Sequence, residues 1–293
     1  MTTYAFGVLA LVVVTATACA IPGAFLVTSR QSMLVDAMGH AVLPGIVLAA
    51  MIWPIGSPLL VVGAALLALV VVAGAEAASR TGLVAGDASV GLLFPGLFSI
   101  GVILLSTRFS HLHLHEDTVL VGDPNIVAAQ RLTWNGWDLG ARYCYVMLGV
   151  LLLNALFFGL FHRKLALAVF DADYARTIGV RVGVLRSVAM TLVAVTLTAS
   201  FYTAGAVLVI AFVVVPAATA CLVANSFPRV IAFSAVIAAV VSTSAFLVTY
   251  WANRPTSSWT AFIYGTMFLA VWAGVRLRRS MRHRGRRRVG AEL

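Results

Sequence analysis

Nine apolar runs, each about the length of a bilayer crossing, dominate this chain and leave little polar sequence from which to build anything else. They cover roughly residues 4–27, 34–53, 58–76, 88–106, 143–161, 187–203, 205–225, 230–250 and 258–275. A helix needs about 20 mainly apolar residues to cross the hydrocarbon core, where no water can satisfy an open amide. The count falls to eight if 187–225 forms one bent or partly re-entrant unit. The whole chain is 61% hydrophobic and 10% charged, more apolar surface than a water-soluble domain can bury. The fold class is therefore an all-α polytopic membrane protein of about eight to nine transmembrane helices. No soluble domain, low-complexity linker or tandem repeat interrupts it. The run "TATAC" ending at Cys19 faintly resembles a lipoprotein cleavage site, but no basic residue precedes it, so a retained first helix is expected.

Charge sets the expected orientation. With the N-terminus outside and nine helices alternating, the inner loops and tail hold all of the 20 basic residues except Arg108, Arg131, Arg142 and Arg254. Cytoplasmic loops carry the excess of Lys and Arg, so this orientation is the favoured one. The expected division is a transmembrane domain over 1–275 and a basic cytoplasmic tail over 276–293. The tail, "RLRRSMRHRGRRR", reads as an anchor against anionic membrane lipid. The net charge of +10 is thereby absorbed, and no nucleic-acid partner is expected. Cys19, Cys144 and Cys221 have no CxxC spacing and stand in apolar surroundings, so buried thiols are expected rather than a disulfide or thiolate metal site. No GxxxxGK[ST] occurs, so the chain holds no nucleotide by a P-loop and is not expected to be an enzyme.

Two segments between spans are long: an outer one over 107–142 and an inner one over 162–186. Three polar constellations stand out. In "VDAMGHAVLPG", Asp36 and His40 are four residues apart and share one helical face. Counted from Arg30 at 1.5 Å per residue, His40 lies roughly 15 Å along the axis, near the bilayer midplane. Ionisable groups at that depth are costly and usually functional. A carboxylate oxygen and an imidazole nitrogen can both ligate a divalent ion, and a sulfur-free pair suits manganese, ferrous iron or zinc. The same pair also reads as a structural hydrogen bond between helices, and two ligands cannot complete a site. In "HLHLHED", His111, His113 and His115 fall on one face of an extended segment. They form either an outer metal entrance or a solvated polar loop. "FDADYARTIGV" reads as an ordinary surface turn or as a docking helix with Phe170 and Tyr174, an i,i+4 pair, as apolar anchors.

Taken in order, these motifs carry a resemblance. "SMLVDAMGHAVLPGIVLA" resembles the pattern "sLlgDALSHAVLPGialA", and "DASVGLLFPGLFSIGVIL" resembles "DtaiGivFsslFalGviL". "LAVFDADYARTIGVRVGVL" is similar to a cytoplasmic "FDpefAralGi" segment, and "GAVLVIAFVVVPAATACLVA" to "GvlLvvAlLviPaAtArLla". These are patterns of the membrane permeases of metal-ion ABC importers for manganese, zinc and iron. The resemblance spans about residues 31–225 in sequence motifs and extends to about 275 in hydrophobic plan.

It implies a bundle like the vitamin B12-type (type II) importers and a bacterial plasma-membrane location. The implied partners are a second permease chain, cytoplasmic ABC ATPase subunits and an extracytoplasmic metal-binding protein. Asp36 and His40 fall on the family's Asp and His, which implies a metal-pathway role. Phe170, Asp171, Ala175 and Gly179 fall on the segment that couples to the ATPase. "HLHEDTVLVGD" looks like the manganese and iron branch and tilts the expected cargo to manganese. The metal is then a transported substrate, with no cofactor bound permanently.

Gly39, Pro95 and Asp123 depart from the family pattern, where Ser, Ser and Glu are usual. An ion-coupled secondary transporter, and an intramembrane enzyme using metal-bound water, are the rival classes. The absence of a P-loop is compatible with the first, whereas the lack of a further catalytic motif counts against the second.

Overall fold

The structure, a computed structural model, describes residues 3–54, 59–80, 88–108, 122–134 and 137–289. Its long helices are α1 (Thr3–Thr28), α2 (Met33–Ala50), α3 (Leu59–Arg80), α4 (Ala88–Arg108), α6 (Arg142–Phe170), α8 (Val182–Val223), α9 (Phe227–Trp251) and α10 (Thr256–Val289). Between α4 and α6 lie a short helix α5 (Pro124–Ala129) and an antiparallel hairpin of β1 (Arg131–Trp134) and β2 (Trp137–Ala141). A six-residue helix α7 (Ala172–Thr177) links α6 to α8. Six of the helices are long and apolar enough to cross a membrane, and α3 and α4 carry shorter apolar stretches, Val62–Ala75 and Pro95–Thr107.

α1 is the hub, packed against α6, α8 and α9. Hydrophobic burial cannot drive helix association inside lipid, so close packing of small residues must do it. α1 supplies them: Ala16, Ala18, Ala20 and Ala24 are all fully buried. A Cβ at Gly23 would run into the Val213 carbonyl of α8, so only glycine permits that approach. Asn154 of α6 ties the same group together. Its amide donates to Thr196 Oγ1 of α8 at 2.7 Å and to the Ala18 carbonyl of α1 at 3.2 Å. Helices α2, α3 and α4 form a second group. Gly45 abuts Ala64 of α3, Gly63 abuts Ala49 of α2, and Gly101 of α4 abuts Pro44.

The 42-residue α8 would be about 63 Å long if straight, twice the ~30 Å hydrocarbon core. It breaks at Gly205, whose φ of 75° and ψ of 166° are not helical. The break falls at the boundary between the expected spans 187–203 and 205–225, although the first half begins five residues earlier, at Val182, so the bent-unit reading and the two-span reading describe one object. Two of the segments read as lying outside the membrane are helical at least in part. α6 runs to Phe170, through the expected inner segment beginning at 162, and α10 runs through the expected tail to Val289. In both, basic residues extend the helix past its apolar stretch, because a solvated helix end tolerates charge.

The bundle has two distinguishable ends. At one end, Asp123 caps α5 by accepting from the Asn125 amide at 2.9 Å. Tyr4 Oη donates to the Asn125 carbonyl at 2.7 Å, and Ser257 Oγ donates to the Gly122 carbonyl at 2.9 Å. The start of α1, α5 and the start of α10 are thus pinned together. The shorter Asp suits this cap better than the Glu usual in the family pattern, because the carboxylate must fold back on its own turn. At the other end lie the close of α1 and α7. Both finish in Schellman turns: Gln31 N donates to Leu26 O after Arg30 at φ 55°, and Val180 N donates to Ala175 O after Gly179 at φ 83°;.

Candidate functional site

Asp36 and His40 stand in the first half of α2, one turn apart as the spacing required. His40 Nε2 is 3.6 Å from Asp36 Oδ1, too long for a hydrogen bond. The side chains are 35% and 46% exposed, respectively, so neither is sealed in the core. Two atoms each about 2.1 Å from one ion stand about 3.4 Å apart in a tetrahedral site and about 3.0 Å apart in an octahedral one. The pair therefore needs to close by only a few tenths of an ångström to grip a divalent ion between its facing atoms. Among the described residues no group of three or more His, Cys, Asp or Glu could hold a metal, so the pair alone leaves the coordination shell incomplete.

Two aromatic residues frame the pair, and local spacing did not reveal them. The Phe98 ring of α4 stands edge-to-face with His40, centroids 5.4 Å apart. Phe201 of α8 presses on the backbone at Gly39, where an added Cβ would lie 2.7 Å from its Cζ. The missing Ser hydroxyl beside His40 thus has a steric cause: the space is taken by a buried ring.

Phe170 ends α6, and Asp171 breaks the helix with φ −148° while its carboxylate accepts from Tyr174 N at 2.9 Å. Phe170 and Tyr174 are consequently not one turn apart on a continuous helix, contrary to the i,i+4 expectation. Both remain exposed, as does Ile178, whereas Ala175 is fully buried and seats α7 on the bundle. Gly179 closes α7 in the left-handed region. His111, His113 and His115 lie outside the described residues. Of the cysteines, only Cys19 is buried; Cys144 is half-buried and Cys221 exposed, because the outer face of a membrane helix accepts a thiol as readily as its interior does.

The family model of the ABC 3 transport family matches residues 1–274. The chain belongs to this family. Its relatives include the zinc transport system membrane protein TroD of Treponema pallidum, 37% identical over 213 residues. That match covers 71% of this chain but only 57% of the relative's length. The manganese transport system membrane protein MntD of Bacillus subtilis is 31% identical, covering 87% of this chain and 86% of its own. The chelated iron transport system membrane protein YfeD of Yersinia pestis is 30% identical, covering 88% and 80%. Among solved structures, PsaBC from Streptococcus pneumoniae in complex with Fab superposes with a TM-score of 0.75 at 22% identity, covering 93% of this chain and 92% of that one. An inward-facing metal-chelate type ABC transporter gives 0.63 at 15% identity, covering 92% and 85%. The ABC 3 family member described here is thus a multi-pass membrane protein with an ABC permease fold.

Proposed function

We propose that this chain is the permease subunit of an ATP-driven importer of divalent transition-metal ions, with manganese as the cargo and zinc or iron as the alternatives. The observation that carries the reading is the Asp36–His40 pair of α2. It offers one oxygen and one nitrogen, half-exposed and 3.6 Å apart, in a family whose relatives are named for manganese, zinc and chelated iron. An incomplete protein shell suits a transported ion, which must be held long enough to select and weakly enough to leave. His111, His113 and His115 form an outer entrance for the ion. ATP is hydrolysed on separate ATPase subunits that couple through the segment of Phe170, Asp171, Tyr174, Ala175 and Gly179, docking on its exposed Phe170 and Tyr174 while buried Ala175 seats it on the bundle. A second permease chain completes the channel, and an extracytoplasmic binding protein delivers the metal to the outer face. In this reading α7 is cytoplasmic, the N-terminus lies outside, and the basic end of α10 rests on anionic lipid.

The test is uptake of radiolabelled manganese, zinc and iron, each as a full concentration series, by cells producing the complete transporter or one with a hydrolysis-deficient ATPase. The account predicts saturable uptake that disappears with the deficient ATPase, with manganese competing best. Metal uptake that persists without ATP hydrolysis would favour an ion-coupled carrier instead.

A further inference from the structure

A cleft of about 160 Å³ opens at the α7 end of the bundle. It is lined by apolar side chains, among them Phe25 of α1 and Val169 of α6, and by Arg176 and Arg186. Arg186 has no carboxylate partner among the described residues. Arg176 pairs with Asp173 at 2.7 Å, but both groups are largely exposed, so that pair holds the guanidinium only weakly. Ser29 and Gln31 also line the cleft, and Ser29 Oγ and Gln31 Oε1 are buried there with no hydrogen-bond partner among the described residues. Polar atoms buried in this way require a partner. Two cations, a hydroxyl donor and an amide acceptor therefore converge where three membrane helices end.

We propose that this cleft binds the headgroup of an anionic phospholipid from the adjacent leaflet, its phosphate held by Arg176, Arg186 and Ser29. The combination of walls favours a lipid over an acidic side chain from a soluble partner. A carboxylate would use the cations alone, whereas a lipid also lays its acyl chain along the apolar ends of α1 and α6. Gln31 then accepts from a headgroup hydroxyl or ammonium, which a bare phosphate lacks. Basic pockets between helices at the cytoplasmic face are suited to such headgroups. Because Arg176 belongs to α7, an occupied cleft fastens the coupling helix to α1 and α8.

The test uses the purified full chain in mixed micelles of phosphatidylglycerol and phosphatidylcholine, with bound lipid counted by native mass spectrometry. The expected result is one phosphatidylglycerol held at least about tenfold more tightly than phosphatidylcholine, as hydrogen bonds between charged groups allow. Arg186→Gln should reduce that preference, and Arg176→Gln with Arg186→Gln should abolish it. Arg254→Gln, at the opposite end of the bundle, should retain it and so controls for general loss of charge. Melting curves exclude unfolded variants from the comparison. Equal retention by wild type and the double variant would overturn the proposal. So would displacement of the lipid by millimolar inorganic phosphate, or its expulsion when the ATPase subunits bind, which would give the cleft to a free anion or a protein carboxylate. Retention is read without transport, so its failure leaves the metal assignment untouched.

Discussion

Beside the polar pair of α2, one glycine determines how near a phenyl ring can come. A side chain at Gly39 would collide with Phe201, which is buried and has little room to turn. Restoring the family's hydroxyl with Gly39→Ser is therefore predicted to destabilise the detergent-solubilised protein by about 1–3 kcal/mol, the range for overpacking a filled site. Trimming the ring with Phe201→Leu should recover much of that loss. Unchanged melting in Gly39→Ser would show that the ring is not confined. Asn154 gives a second prediction. Asn154→Leu removes both amide bonds to α1 and α8, and should lower stability by about 0.6–1.7 kcal/mol, the scale of interhelical hydrogen bonds in membranes. Combined with Thr196→Val the losses should be less than additive; full additivity would mean that the two side chains act separately. The four-residue spacing of Asp36 and His40 was legible because it is local. Phe98 and Phe201 were not, because their approach depends on how α4 and α8 pack against α2.

At the level of elements, the spans were legible from hydrophobicity alone, since lipid forces every backbone amide into a helix. Their ends were less so. The segments from 162 and from 276 were read only as non-membrane sequence, which left their secondary structure open; α6 and α10 continue into them as helices. The division of 187–225 near residue 204 was legible as a boundary between two apolar runs, but the joining of the two halves through Gly205 was not; its φ and ψ fall where only glycine is at ease;. Gly205→Ala should cost about 1–3 kcal/mol for that backbone strain alone, and more because Gly122 packs against the same point. A melting temperature equal to wild type would contradict the kink. The segment of α7 was read as either a surface turn or a docking helix. Asp171 divides it from α6, and the sequence signal was present in the Asp that opens "DADYART", an N-cap residue preceding a short helix;.

The whole molecule is organised around α1, which packs on α6, α8 and α9, while α6 and α10 turn mostly outward, with only 17% and 11% of their most apolar stretches buried. The start of α1 and the start of α10 share one end, and α7 marks the other. In a chain stripped of its native cysteines, a cysteine replacing Tyr174 should react with a membrane-impermeant maleimide only after cells are opened. One replacing Asn253 should react in intact cells. The reverse pattern would invert the orientation that the positive charges favour. The central claim is that the ion passes the Asp36–His40 pair. Its most direct test is manganese uptake by the complete transporter carrying Asp36→Ala or His40→Ala, after membrane expression and ATPase assembly are shown to equal wild type. The account predicts loss of uptake in both variants with assembly intact. Uptake at the wild-type rate in either would remove that residue from the ion path and reduce the pair to a structural contact within α2.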